Sequence, residues 1–335
     1  MRGKVMPRAE GWVVFEAVQP GVEMLMFAGG QPYEARSALR VLGKQAGGLY
    51  LGVARKVSGS GVDVRETLDD GSLIIGEAVK GPTGAVHAVS VWGGEASPPP
   101  RPAIACWDVN FATHTSNAAG DLAAVWDDGR EVNQDYPFQR FLKAAHPDDV
   151  LAMTRLVQRF VGAESGMLLG LRWSVRRGED GWTPLQSYGR YVVDESGGRL
   201  WRGHSIDLTD IDDAHVPVRS LFGTIWSGKD QQAAIVDLID PYVVRWLHEG
   251  LPMIAWPEDG WLNSIIHPDD RQLPELQVDA LAQLPIERSA SVQMRLRGSE
   301  GGWVRTDVVA SPIEKPTQGS APVIAIFTIA RGRSD

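Results

Sequence analysis

Two periods of hydrophobicity alternate along this chain. Leu169, Leu171, Trp173 and Val175 stand at every second position, as do Val292, Met294 and Leu296. A period of two predicts half-buried β-strands. Before the first of these runs, DDVLAMTRLVQRFVGA (148–163) places Val150, Met153, Leu156, Val157, Phe160 and Val161 on one face, the spacing of an amphipathic helix. GEDG and GSEGG are turn signals that fold the neighbouring strands into hairpins. RLWRGHSIDLT (199–209) and PVIAIFTIA (322–330) read as closing strands, AIACWDV (103–109) and LFGTIWS (221–227) as opening ones. The predicted order, found twice, is strand, short helical pieces, helix, then three antiparallel strands.

The duplication is written in residues as well as in pattern. HPDD occurs at 146–149 and again at 267–270, and one offset of 121 residues relates His146 to His267, Arg176 to Arg297, Gly181 to Gly302 and Trp182 to Trp303. Upstream, Trp126 with Trp246 and Trp107 with Trp226 match after small gaps. A repeat of this length is domain-sized. It divides the chain into residues 1–100, 101–213 and 214–335, with the Pro-rich EASPPPRP (95–102) and the short DDAHVPVRS (212–220) as connectors. On these boundaries the segment 103–213 is expected to fold alone.

Proline at the first helical position has its φ already set and loses no needed N–H. Aspartates next to it meet the positive end of the helix dipole. His146, Pro147 and Asp148, like His267, Pro268 and Asp269, are therefore read as structural helix starts. No second histidine follows at helical metal-ligand spacing.

Residues 11–92 do not match the repeat. GWVVFEAV (11–18) and VEMLMFAG (22–29) predict strands, EARSALRVLGKQAG (34–47) a helix, and LIIGEAV (73–79) with GAVHAVSVW (84–92) a closing hairpin around KGPTG. The whole is an α+β chain of three tandem sensor-type domains, each an antiparallel sheet with helices.

The order of elements, HPDD at the helix start, the tryptophan after the hairpin turn, and the ending with Gly203, Asp207, Leu208 and Thr209 resemble the PAS fold. The second copy ends in IAIFTIA and departs from that pattern. The last segment of the first hundred residues resembles the end of a GAF domain, with a degenerate PAS domain as the alternative. The layout as a whole resembles an actinobacterial sensor-domain-only protein, one GAF-like domain followed by two PAS domains. That resemblance implies a sensor rather than a catalyst, with ligands held differently in each subfamily.

Composition adds bounds. A net charge of −9 with no basic run argues against a nucleic-acid surface. A single cysteine, Cys106, excludes an intramolecular disulfide and a Cys-based metal site. MRGKVMPRAEGW lacks the apolar core of a signal peptide, and no apolar run approaches the ~18–20 residues of a membrane span. A soluble cytoplasmic protein is expected. No phosphate loop, dinucleotide fingerprint or nucleophile elbow is spelled, SGSG (58–61) reads as a bare glycine turn, and no cofactor is recognisable. Trp107, Trp126, Trp173, Trp226 and Trp246 are candidates for lining a ligand pocket, with core filling as the plainer reading. Arg176 and Arg297, on the matched hairpins, are candidates for a partner surface. The expected function is a non-enzymatic sensor or scaffold that responds to a small molecule or partner and signals by contact to a separate effector. A ligand-free interaction scaffold and an enzyme of unspelled type are the alternatives.

Overall fold

A computed structural model describes residues 11–331 except 96, 111, 114, 127–130, 139, 141–143, 147–148, 150–151, 154–155, 157–163, 179–180, 194–196, 210–230, 238–241, 247–250, 258–260, 273–287 and 313–323. The backbone forms three antiparallel sheets. The first contains β1 (Val13–Glu16), β2 (Met24–Ala28), β3 (Gln31–Arg36), β4 (Val64–Thr67), β5 (Leu73–Lys80) and β6 (Val86–Gly94), with helices α1 (Ala38–Val41) and α2 (Lys44–Ser60) between β3 and β4. The second contains β7 (Ile104–Asn110), β8 (Thr115–Gly120), β9 (Tyr136–Pro137), β10 (Leu168–Arg177), β11 (Gly181–Val193) and β12 (Arg199–Asp207), with α3 (Leu122–Val125) after β8. The third contains β13 (Gln231–Asp237), β14 (Tyr242–Trp246), β15 (Ala290–Arg297), β16 (Trp303–Pro312) and β17 (Ile324–Arg331).

One connectivity recurs in all three. The first strand of each sheet pairs with its last: β1 with β6, β7 with β12, β13 with β17. The second strand flanks the first on the other side, and the last strand leads outward through the fourth to the third. Sheet one adds β3 beyond β2, and sheet two adds β9 beyond β8. The first hundred residues thus share the sheet order of the repeat although they share none of its residues. The offset of 121 survives in the hairpins, where Arg176 pairs across from Trp182 and Arg297 from Trp303. It fails upstream. The strand that takes the place of β7 in sheet three is β13, which follows the expected 221–227; that segment lies outside the described residues.

Helix α2 corrects the expected 34–47 helix. Residues 34–36 finish β3, and the helix runs on through the glycines to Ser60. Its buried face, Ala46, Tyr50, Val53, Ala54 and Val57, recurs at helical spacing and closes over Val13, Phe15, Leu25, Val89 and Val91 of sheet one. That burial outweighs the local cost of Gly47, Gly48 and Gly52. SGSG is the helix end rather than a free turn: Gly61 caps it in the left-handed region at φ 66°, with its N–H on the Val57 carbonyl.

The chain divides into two compact units, residues 1–136 with 164–217, and residues 137–163 with 218–335. The first unit holds sheets one and two, and they share a core. Val14, Met26, Phe27, Val79 and Ala88 of sheet one meet Ile104, Cys106, Tyr188 and Ile206 of sheet two. Strand β1 is therefore covered on both faces, Val13 and Phe15 toward α2, Val14 and Glu16 toward sheet two. Glu16 is fully buried and receives Nη2 of Arg190 at 2.5 Å and Nε at 3.1 Å. Arg190 also donates to the Gly166 carbonyl at 2.7 Å, and Glu16 accepts the Val18 N–H at 3.0 Å. Burial pushes the Glu16 carboxyl above its usual range against the pull of Arg190. The connector is held too: the Trp12 indole donates to the Pro99 carbonyl at 2.8 Å. A fragment 103–213 would expose Ile104, Cys106 and Ile206 and strand Arg190. In the second unit, Ala234, Val236, Val243, Met294, Leu296, Val308 and Phe327 form the core.

Removing one member of a buried ion pair leaves the other uncompensated, at about 3–5 kcal/mol. Arg190→Ala is expected to destabilise the first unit by about that amount in urea unfolding, and Glu16→Leu combined with Arg190→Met to recover most of it. Additive losses in the double variant would show that the pair is not acting as a unit.

Candidate functional site

Polar side chains inside the first unit gather where the two sheets meet. His87, at the start of β6, is fully buried; its Nδ1 lies 3.0 Å from the Gly203 carbonyl and its Nε2 3.4 Å from Asp108 Oδ1. Arg202 approaches the other oxygen of Asp108 at 3.6 Å. His204, from β12, is also fully buried, and neither ring nitrogen has a hydrogen-bond partner among the described residues. Burial lowers His87 to about 4, helped by the nearby Arg202 charge, and lowers His204 to about 3, helped by His87. Burial raises Asp108 to about 6 against the opposing pull of Arg202. At neutral pH the two imidazoles are neutral. Cys106 is buried beside them, its thiol pushed well above the usual range by burial, and its Sγ lies 3.7 Å from the Val79 carbonyl.

The opposite face of sheet two is filled. Trp107 and Trp173 are each 1% exposed. Their indole N–H groups donate to Ser205 Oγ at 3.1 Å and Ser187 Oγ at 2.6 Å, and the two serines join at 2.7 Å. Trp201 meets Trp107 edge to face at 4.6 Å between centroids. The stack needs Gly203 beneath it, because a Cβ there would fall 2.6 Å from the Trp107 ring. Trp126 is buried at the end of α3. Trp246 ends β14, with its side chain outside the described residues, and Trp226 lies wholly outside them. The aromatic candidates that can be placed are core residues, and Trp107 and Trp173 satisfy their indole N–H groups inside the fold.

An open cleft lies elsewhere in the unit, with a volume of about 1030 Å³. Residues 32–36 of β3, Arg40 and Val41 of α1, residues 168–172 of β10, and Gln186 and Tyr188 of β11 line it. Strands β3 and β10 are the outermost strands of their sheets, so the shared core brings two sheet edges to one cleft. Arg36 and Arg40 are exposed and Arg172 half-buried, with its Nε on Gln186 Oε1 at 3.1 Å. Glu34 is the single acidic residue of the lining. Tyr188 closes the floor, its hydroxyl donating to the Tyr33 carbonyl. Ala35 lies in the left-handed region at φ 33°, next to an irregularity in the β2–β3 register. Strain of this kind in a non-glycine residue persists where the surroundings fix it. Arg36, Arg40 and Arg172 were not legible as a group, because only the closing of one sheet on the other brings them together.

The duplicated HPDD is resolved in its second copy. Pro268–Asp270 is a short 3-10 turn; His267 is its N-cap, and Nδ1 accepts the Asp269 N–H at 3.2 Å. Asp270 donates its N–H to the His267 carbonyl at 2.9 Å, and Asp149 makes the same bond to His146. The Asp270 carboxylate takes the Arg295 guanidinium at 2.7 and 3.0 Å and the Arg295 N–H at 2.7 Å, which holds its pKa below the usual value. The His267 ring meets Trp303 edge to face at 4.6 Å. Pro147 and Asp148 lie outside the described residues. Arg176 and Arg297 are exposed near the ends of their hairpins, and Trp182 and Trp303 opposite them are 41% and 45% exposed. Among the described residues, no cluster of three or more His, Cys, Asp or Glu is placed to share a metal ion, and no helix is long and apolar enough to cross a membrane.

Two family models match the sequence: Rv3651-like, N-terminal, over residues 11–102, and Rv3651-like, C-terminal domain, over residues 222–329. No curated protein matches it. Among solved structures, an uncharacterised protein from Mycobacterium tuberculosis is 18% identical, with 97% of each chain covered and a TM-score of 0.71, which establishes a shared fold. A sensory box histidine kinase/response regulator from Burkholderia thailandensis E264 aligns at 17% identity over 32% of this chain and 78% of its own, with a TM-score of 0.27. The N-terminal domain of a diguanylate cyclase with PAS/PAC sensor from Marinobacter aquaeolei aligns at 14% identity over 32% and 95%, also at 0.27. At that score neither bears on function.

Two outcomes follow from the site's chemistry. Between about pH 6.5 and 4 the unfolded chain protonates both histidines while the native chain does not, so acidification costs stability, up to ~1.4 kcal/mol per pH unit for each group. Asp108 works the other way below about pH 6, where the native state takes up its proton first. Two histidines exceed one aspartate, so urea-unfolding stability is expected to fall from pH 7 to pH 5. His204→Leu, which removes a buried group without a partner, is expected to keep the stability at pH 7 and to flatten that fall. An unchanged slope would remove His204 from the account. For HPDD, His267→Ser retains a capping side chain and is expected to cost no more than ~1 kcal/mol, whereas Asp270→Ala is expected to cost roughly 2 kcal/mol by releasing Arg295. Stoichiometric metal that is lost in His267→Ser would overturn the capping role.

Proposed function

We propose that this member of the Rv3651-like family is a non-enzymatic signalling protein that recognises a partner at its surface and passes that event by contact to a separate effector. The observation that carries the reading is the cleft between the edges of β3 and β10, where Arg36, Arg40 and Arg172 converge over an apolar floor. The lining carries three arginines against one glutamate in a chain whose net charge is −9. A site spanning two sheets is also placed to register a change in either. A sensor has to present a surface whose occupancy differs between two states.

The identical connectivity of the three sheets supports reading them as one sensor-type domain used three times, PAS-like in sheets two and three and a degenerate copy in sheet one rather than a distinct GAF domain. The tryptophan stack of sheet two supports a scaffold whose interior is filled by its own side chains, with recognition outside it. Cross-linking in cells is expected to capture one distinct effector, and Arg172→Glu to abolish the capture without lowering the melting temperature. Turnover of a nucleotide, phosphoester or peptide by the purified chain, lost on a single side-chain change, would overturn the non-enzymatic reading.

A further inference from the structure

We infer that the seam cleft binds an acidic peptide segment in extended conformation, which adds as a further strand to the outer edge of β10, beyond which no described strand lies. The inference rests on the contact-signalling reading above and gives its partner a chemistry. Successive residues of a strand point to opposite faces. A cleft lined by side chains of one face would therefore collect every second residue. This one is lined by five consecutive residues of β10, 168–172, and by five of β3, 32–36. Each is the outermost described strand of its sheet, and Gln186 and Tyr188, alternate residues of β11, close the cleft from behind β10.

The two edges differ in how they are guarded. Strand β3 carries Pro32, which has no N–H to give, and the irregularity at Ala35. Both devices spoil an edge as a template. Strand β10 has neither. It is ten residues long, holds unbroken register with β11, and contains no proline. It carries charge of one sign instead, in Arg172, Arg176 and Arg177, the last 4.0 Å from Asp207. Like charges brought opposite one another repel, so a second copy of β10 is a poor partner. A strand bearing carboxylates reverses the sign. Its backbone would complete the ladder on β10, alternate carboxylates would meet Arg172 on one side and Arg36 or Arg40 across the cleft, and its apolar positions, on the opposite face of the added strand, would stand beside Leu169 and Leu171. Main-chain pairing supplies affinity in this mode of recognition, and side-chain pockets supply specificity.

The test uses the full chain and fluorescent synthetic peptides. A peptide alternating valine and glutamate is expected to bind in an anisotropy titration at low salt and to weaken as salt rises. The same peptide with lysine for glutamate is expected not to bind. Arg172→Glu and Arg36→Glu are each expected to weaken the acidic peptide roughly tenfold or more. N-methylation of alternate peptide nitrogens, which removes N–H donors and keeps every charge, is expected to abolish binding. In hydrogen exchange, the β10 amides are expected to gain protection on binding. Equal affinity for the N-methylated peptide, or full competition by inorganic phosphate or citrate, would make the cleft a simple anion site and overturn the inference. If no acidic peptide binds while cross-linking still captures an effector that Arg172→Glu releases, strand addition fails and the signalling reading stands. If Arg172→Glu changes neither measurement, both fail.

Discussion

Everything recognisable as a site in the first unit depends on one buried contact, the Glu16–Arg190 pair. Each ion gives up several kcal/mol of hydration on leaving water. The cost is offset only because the partners are fully coordinated: two guanidinium nitrogens and the Val18 N–H on the carboxylate, and the Gly166 carbonyl on the remaining Nη. A buried pair of this quality adds little net stability compared with apolar residues, but it tolerates only one arrangement. The apolar residues around it, Val14, Met26, Cys106 and Ile206 among them, would bury as well after a small slide of one sheet on the other. The ion pair would not. It sets the register of the sheets, and with it the distance between the outer strands β3 and β10.

The same constraint separates what a single sequence reveals from what it hides. Strands in the hairpins are legible because each is half-buried and writes a period of two, as Leu171, Trp173 and Val175 do. Strand β1 is buried on both faces, so Val13, Val14, Phe15 and Glu16 show no alternation, and nothing marks Glu16 as anything but a polar break. Its partner lies 174 residues away. The far end of helix α2 is hidden for a related reason: SGSG reads as a glycine turn, and only packing on sheet one carries the helix on to Ser60. The third appearance of the connectivity was invisible because strand order is fixed by which edges pair, and pairing through the backbone leaves no residue signature.

The histidines illustrate how strongly context decides chemistry. His267 stands at a helix start, partly exposed, and spends Nδ1 on a backbone N–H. His87 and His204 are in the seam, neutral and enclosed, where a charge would have no water and too few partners. From sequence, the duplicated HPDD is the conspicuous histidine motif and the seam histidines pass unnoticed. In the fold, His267 is a capping group, and burial holds the unnoticed pair below the usual imidazole range.

Electrostatics is thus divided by depth. The seam admits the fully coordinated Glu16–Arg190 pair and the looser Asp108–Arg202 contact at 3.6 Å and keeps its two histidines neutral, while Arg36 and Arg40 stand exposed beside the cleft. That division has a consequence for β10. A long, unbroken outer strand exposes a row of backbone donors and acceptors, and exposure of this kind is resolved either by repulsion or by a partner. Arginines on β10 supply the repulsion toward strands like itself. Nothing about them repels a strand of opposite charge, and the guarded β3 across the cleft directs such a strand to β10 alone. The seam that hides Glu16 therefore also sets which outer strands, β3 and β10, face each other across the cleft.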